Sequence, residues 1–310
     1  MVFKKLLGAL GVGGPTVDTV LSTPVVQPGG LIQGQVNLVG GTQDAEITGI
    51  TLTLVARVEI EHDEGESTGL SPFARYGVSA PFRLAPGEQR SIPFSVPVPH
   101  ETPLTSFAGW QLPGMAVGVR TEVEISGARD KGDADPLGVA PLPLQQRVLD
   151  AFTGLGFRLR SADLEAGHIR GTAQRLPFYQ EIEFAAAPQY AHLCHAVELT
   201  FVTDESGTEV VLEFDKRGGD VIHQHRLEHS AADQDLTPVV DGWLQQVAKG
   251  YGHGGHGSHG DHGHSGHSGH SGHSGHSGAG AAAVGAAAGL VGGFVLGEAM
   301  EEVFEDFFEG

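Results

Sequence analysis

The residues that most plainly could do chemistry sit near the C-terminus. Nine histidines, His253, His256, His259, His262, His264, His267, His270, His273 and His276, lie in a Gly/Ser-rich run, the last five spaced by Ser-Gly. Imidazole binds Zn²⁺, Ni²⁺ and Cu²⁺ well, and a flexible chain lets several rings converge on one ion. Nothing rigid fixes a tetrahedron, so this is a metal-gathering tract and not a structural zinc site. The same rings gain charge near pH 6. Elsewhere, His192, Cys194 and His195 invite a thiol nucleophile. A nucleophile and its base normally converge from separate segments, however, and neighbours in a strand point to opposite faces. His223 and His225 could share a strand face with His229 nearby, but no carboxylate or cysteine completes a ligand set beside them. The chain has no glycine-rich phosphate loop after a strand, no CxxC, no HExxH and no GxSxG. No catalytic residue is assigned, and the expectation is a protein that is not an enzyme and requires no cofactor, with a divalent transition metal optional at the tail.

The run that follows the histidines, residues 279–296, has no charge, and Gly285, Gly289, Gly293 and Gly297 recur every four residues. On a helix they form one smooth face of the kind that lets helices approach closely, which points to self-association or membrane contact. Eighteen residues rise about 27 Å as a helix, just short of the ~30 Å hydrocarbon core. Beyond it, Val303, Phe304, Phe307 and Phe308 stand among acids as an amphipathic acidic end. At the other terminus, Phe3, Leu6, Leu7 and Leu10 fall at i, i+3, i+4, i+7 and predict one short amphipathic helix over residues 1–14, without a convincing cleavage site behind it.

Charge narrows the partners. Of 310 residues, 18 are Lys or Arg and 38 are Asp or Glu, a formal net charge of −20. Residues 1–249 hold all 18 bases and 31 of the acids, so the body is acidic without its tail. Such a surface repels phosphate backbones, which excludes general nucleic-acid binding. One cysteine excludes an intramolecular disulfide and fits a reducing compartment; the expectation is cytoplasmic, at most peripheral to a membrane.

The body must position whatever recognition there is, and its pattern is all-β. Ile50, Leu52, Leu54, Ala56, Val58 and Ile60 alternate with Thr51, Thr53, Val55, Arg57, Glu59 and Glu61, which predicts a strand with one buried and one wet face. Val119, Thr121, Val123 and Ile125 repeat the pattern, and Leu31–Val39 and Ser91–Val98 read as further strands. Pro93 and Pro97 place the last of these at a sheet edge. Residues 15–130 therefore form a β-sandwich, and 131–143, dense in charge, Gly and Pro, an inter-domain connector. Leu144, Val148, Leu149 and Phe152 then predict a helix stopped by Gly154 and Gly156. Ile182 and Phe184 mark a strand, 197–201 and 210–214 a hairpin across Asp204-Glu205-Ser206-Gly207, and Val240, Trp243, Leu244 and Val247 a helix begun at Thr237-Pro238. So 144–249 is expected as a second sandwich trimmed with helix, followed by a His/Gly/Ser linker (250–278) and the apolar and acidic end (279–310).

Four blocks carry a family resemblance: VDTVLSTPVVQPGGLIQGQVNLVGG at 17–41, ARDKGDADPLGVAPLP at 128–143, LDAFTGLGFRLRSADLEAG at 149–167 and LPFYQEIEFAAAP at 176–188. Together they resemble the bacterial sporulation-control family called SpoOM, over residues 1 to about 250. The resemblance implies two arrestin-like β-sandwiches and a non-catalytic, regulatory role through protein partners, signalling or cytoskeletal and division proteins among them, in sporulation, development or cell-cycle and cytoskeletal control. It also implies opposed charges latching the crossing between the sandwiches, here Asp130, Lys131, Asp133 and Asp135, where three acids to one base call for a further cation. The competing readings are a metal-responsive or metal-buffering protein working through the histidines, and a scaffold tethered to a membrane through 279–296.

Overall fold

The computed structural model describes residues 13–62, 65–192, 194–214 and 221–251. The predicted N-terminal helix over 1–14, the histidine tract, and Gly285, Gly289, Gly293 and Gly297 thus lie, wholly or almost wholly, outside the described residues. What is described is mostly strand. β1 (Thr16–Leu21), β3 (Leu31–Val39) and β7 (Gln89–Pro97) make an antiparallel three-stranded sheet in the order β1-β3-β7. Pro93 and Pro97 do fall on its outer strand, where a missing N–H costs no ladder bond.

The second sheet is organised on β4 (Ala45–His62). On one side β4 pairs with β10 (Val117–Ile125), which pairs with β11 (Lys131–Pro136). On the other it pairs with β5 (Gly65–Ser79) and β6 (Phe82–Leu84). On the β10 side, beyond the end of β10, β4 meets β13 (Arg158–Ala166), and the sheet continues through β14 (Phe178–Ala185), β15 (Ala196–Thr203), β16 (Gly207–Phe214) and β17 (Val221–Glu228). Among the described residues, the register that joins the two runs is one parallel pair, Glu59 with Glu165. Short pairs complete the strands: β2 (Val25–Val26) with β12 (Gly138–Val139), and β8 (Ser106–Phe107) with β9 (Trp110–Gln111).

Two expectations change. The expected wet face of β4 is buried over its first half: Thr51, Thr53 and Val55 are 8%, 4% and 2% exposed, and Val55 packs with Ala134 of β11 and Leu70 of β5, while Arg57 and Glu59 further along are half-buried. And the stretch 131–143 is not a connector loop; it supplies β11, β12 and the first residue of the next helix. β5 itself escapes a periodicity reading, since GESTGLSPFARYGVS does not alternate. A register shift opposite Leu54/Val55, beside Pro72, bulges the strand. Phe73 at that bulge meets Phe178 edge-on, ring centroids 5.7 Å apart, and so reaches into the other half of the molecule.

In the C-terminal half the described residues form one antiparallel run, β13 to β17, with helices across one face. Helix α1 (Pro143–Gly154) buries Leu144, Val148, Leu149 and Phe152, the predicted stripe. It begins with proline at its first turn, and Gln145 accepts the Leu142 N–H at 2.8 Å. Phe152 stacks on Phe184, 5.4 Å between centroids, and meets Phe157 edge-on. Helix α2 (Thr237–Tyr251) starts where Asp235 accepts the Thr237 N–H at 2.9 Å, so the capping carboxylate stands two residues before the threonine the pattern selected. One hydrophobic cluster, from Val26 to Val247, runs through both halves.

The β15–β16 turn shows how local chemistry fixes register. Asp204 accepts N–H bonds from Ser206 and Gly207 (2.8 and 3.1 Å) and a guanidinium bond from Arg226 of β17 (2.7 Å). Those donors hold its carboxyl well below the usual carboxylate range. Gly207 leaves no room for a side chain, because a Cβ there would lie 2.1 Å from the Leu227 carbonyl oxygen. Gly207→Ala is expected to destabilise the fold by about 1–3 kcal/mol, read as a lower denaturation midpoint in urea with an unchanged slope.

Candidate functional site

The four residues of the expected latch lie along β11 and the turn before it. Asp130 accepts the Ile125 N–H at 2.9 Å and closes the β10–β11 turn. Asp133 accepts the Thr19 N–H at 2.5 Å and the Ala134 N–H at 2.9 Å, while the hydroxyls of Thr19 and Thr121 meet 2.7 Å apart in the interior. Asp135 is pushed up to about 7, by burial first and then by Asp133 and Asp18. Lys131 stands on the same strand opposite Val123. The bonds of Asp130 and Asp133 stay within the N-terminal half, fastening β11 to β10 and to β1. They do not cross to the other half as the latch requires, because the segment was absorbed into the sheet.

Polar contacts between the halves come from elsewhere, from the loop after β7. Glu101 accepts the N–H groups of Arg175 (2.8 Å) and Leu176 (3.0 Å). Gln180 of β14, 8% exposed, acts as a backbone unit: its oxygen accepts the Leu104 N–H at 3.0 Å and its nitrogen donates to the Leu104 carbonyl at 2.8 Å. Gly114, at φ +87, lets the next loop touch β13; a Cβ there would stand 2.3 Å from the Ala162 carbonyl oxygen. A cavity of about 20 Å³, room for one water, sits at this joint between His100, Glu101, Gln145 and Gln180. Replacing Gln180 with leucine strands a buried donor and a buried acceptor, each worth about 1–3 kcal/mol. Gln180→Leu is expected to lower thermal stability more than any surface substitution on β14, measured by calorimetry.

The feature that residue reading did not assemble is an acidic sheet face. Alternation points Asp163 and Glu165 of β13, Tyr179, Glu181 and Glu183 of β14, Glu198 of β15 and Glu213 of β16 away from the helices. The register sets Asp163 opposite Glu181, Glu183 opposite Glu198, and Glu198 opposite Glu213. Directly opposed like charges are destabilising, and the structure relieves them in two ways. Glu183 takes a bond from Arg160 at 2.6 Å and from the Ser161 hydroxyl at 2.7 Å. Glu181 is pushed up to about 9, by burial first and then by Glu198, Asp163, Glu165 and Glu213, so it holds its proton at neutral pH. The same burial and carboxylates push the Tyr179 phenol up. Two sets, Asp163/Glu165/Glu181 and Glu181/Glu198/Glu213, bring carboxylate oxygens within 4.8 Å of one another, an oxygen-only arrangement of the type hard cations use. The signal was present as acids at every second position in DLE, EIEF, VEL and LEF, but only the register reveals that they meet.

Among the described residues, the histidines do not assemble a ligand set. His225 stacks flat on Trp243 of α2, 4.3 Å between centroids, and His223 lies parallel to His225 at 6.3 Å. His229 turns to the Asp204 carbonyl at 2.9 Å. Burial lowers the His225 pKa, with His223 adding to it. Cys194 is buried in the core while His192 and His195 are exposed, so thiol and imidazoles do not converge. Among the described residues, no helix is long and apolar enough to cross a membrane.

Because Glu181 ionises near pH 4.5 when unfolded and near 9 when folded, the folded chain binds the extra proton in between, and its stability falls as pH rises through that window. Glu181→Gln mimics the protonated form. It is expected to gain at least about 1 kcal/mol at pH 8, roughly 2–4 °C in Tm, and little at pH 4.5, by thermal melts across pH.

A family model described as SpoOM protein matches residues 3–218. The sporulation-control protein spo0M of Bacillus subtilis (strain 168) is 36% identical over 216 residues, covering 69% of this chain and 81% of that protein. The crystal structure of Spo0M from Bacillus subtilis superposes with a TM-score of 0.69 at 31% identity, covering 76% of this chain and all of that one. The sequence match ends inside the β16–β17 link, so α2 and the histidine tract fall beyond it. On the extent of the family match and the identity across most of both chains, this protein belongs to the SpoOM family.

Proposed function

We propose that this protein is a non-enzymatic regulator of sporulation or of related developmental, cell-cycle and cytoskeletal events, acting in the cytoplasm by binding other proteins. The observation that carries the reading is the likeness in sequence and fold to a protein named for sporulation control, along the whole of that protein's solved chain. In this reading the two halves are arrestin-like lobes, and the lobes recognise partners through sheet edges and loops. Edge strands offer unpaired N–H and C=O groups to an extended segment, and β17 is such an edge in the ten-stranded sheet. The acidic face on β13–β16 favours basic partner surfaces and disfavours nucleic acid.

The test is replacement. In a Bacillus subtilis strain lacking its own spo0M, the full chain is expected to restore the parental sporulation frequency, and residues 1–251 to do so equally. Failure of both with the protein present in cells refutes the reading. Restoration by the full chain alone moves the working part to the histidine tract or to residues 279–296, as metal buffering or membrane tethering requires.

A further inference from the structure

Outside the joint and the acidic face, a cluster with both a defined partner and an uncompensated carboxylate oxygen lies at the seam between the two sheets. β1 is the outer strand of the three-stranded sheet and β11 the outer strand of the ten-stranded one. The two edges meet through the Thr19 N–H on Asp133 and through the buried pair of hydroxyls, Thr19 with Thr121. We propose that Asp133, Asp135 and Asp18 form a proton-controlled clasp that fastens β1 to β11, closed when Asp135 carries a proton and loosened when it ionises.

The geometry supplies each part. Asp133 and Asp135 are two apart on one strand and share a face, so both look toward β1. Asp133 spends its carboxylate on Thr19. The Oδ2 of Asp135 is buried, with no hydrogen-bond partner among the described residues. From β1 the charge that acts on it is Asp18, on the exposed side of that strand, whose own strand partner, Asn37, is neutral. From β10 the residues opposite Asp135 and Asp133 are Val119 and Thr121, which bring no charge. Lys131 shares the strand four residues away, and Asp130 is committed to the Ile125 N–H. The charges that act on Asp135 are therefore both negative, and together with burial they hold its proton up to about pH 7. An Asp135 that loses that proton places a second carboxylate beside Asp133 and against Asp18, with a buried oxygen and no donor. That repulsion falls on a seam where two outer strands are tied by a side chain and not by a ladder.

The sign follows from linkage. A clasp that opens returns Asp135 to its ordinary value near 3.8, so the closed form binds the extra proton between there and about 7. Opening therefore becomes easier as pH rises through that window and levels off above it. Backbone hydrogen exchange of the full chain reads this directly, comparing amides of β1 with those of β3 after correction for the intrinsic exchange rate. Protection of β1, and not of β3, is expected to fall by up to about ten-fold per unit from about pH 5 to about pH 7. Asp135→Asn is expected to abolish that slope. Asp18→Asn, which removes one like charge and leaves Asp135 in place, is expected to move the levelling-off point to lower pH. A parent without the slope, an Asp135→Asn chain that keeps it, or an Asp18→Asn chain whose profile does not move each overturns the clasp.

Discussion

Burial of β4 on both faces is the constraint from which the rest of the structure follows. A one-residue slip turns every side chain of a strand to its other face, so the register of a strand is fixed wherever its buried positions call for particular side chains. Ile50, Leu52 and Leu54 are at most 1% exposed on the face toward β1-β3-β7, and Thr51, Thr53 and Val55 are nearly as hidden on the other. Their positions dictate where β10, β5 and β6 pair, and through the Glu59–Glu165 pair where β13 begins. The threonines suit this place, since they are β-branched like valine and carry a hydroxyl that a half-polar face can use.

With one ladder pair joining the halves among the described residues, side chains take over the work of a strand. Gln180 offers an N–H and a carbonyl in the spacing of a peptide group and zips onto Leu104. Within the C-terminal half, Gln174 braces the loop that meets Glu101: it donates to the carbonyls of Gly167 and Leu176 at 2.8 Å each and accepts the Ile169 N–H at 2.9 Å. Glu101 gathers two backbone N–H groups, a charge-assisted bond of the stronger class. Against these bonds, exposed ion pairs such as Arg83–Asp44 count for little, because water screens the charges and both side chains give up freedom to meet. The junction of the halves is thus polar and specific at its rim, with Phe73 on Phe178 as its apolar centre.

How much of this was legible divides along physical lines. Elements with strict periodicity were readable: Leu31–Val39 came out to the residue, and the α1 stripe and the 197–214 hairpin to within one or two. Packing was not. Whether Thr51 and Thr53 face water depends on β5 and β11, and β5 has a bulge where its pattern would have to show. The stretch 131–143 looks like a connector by composition, yet Asp and Gly can sit in an edge strand when their carboxylates find backbone donors, as Asp130 and Asp133 do. The acidic face needed register above all: Glu181, Glu198 and Glu213 are spread over 33 positions, and only three aligned strands make them neighbours.

Register also changes what the charge count means. A formal −20 treats each carboxyl as independent, but Glu181 and Asp135 are held near 9 and near 7 by burial and by other acids. Each takes up a proton when the chain folds. An acidic chain would ordinarily gain from spreading its charges as far apart as it can; here the sheet brings several together and neutralises one of each group. The two groups sit on different parts of the same sheet, one on the face away from the helices and one at the outer edge. Folding of this body is consequently coupled to proton uptake in the range from mildly acidic to mildly alkaline, and the uptake arises first from burial of these carboxyls and then from the other acids brought near them, not from any histidine.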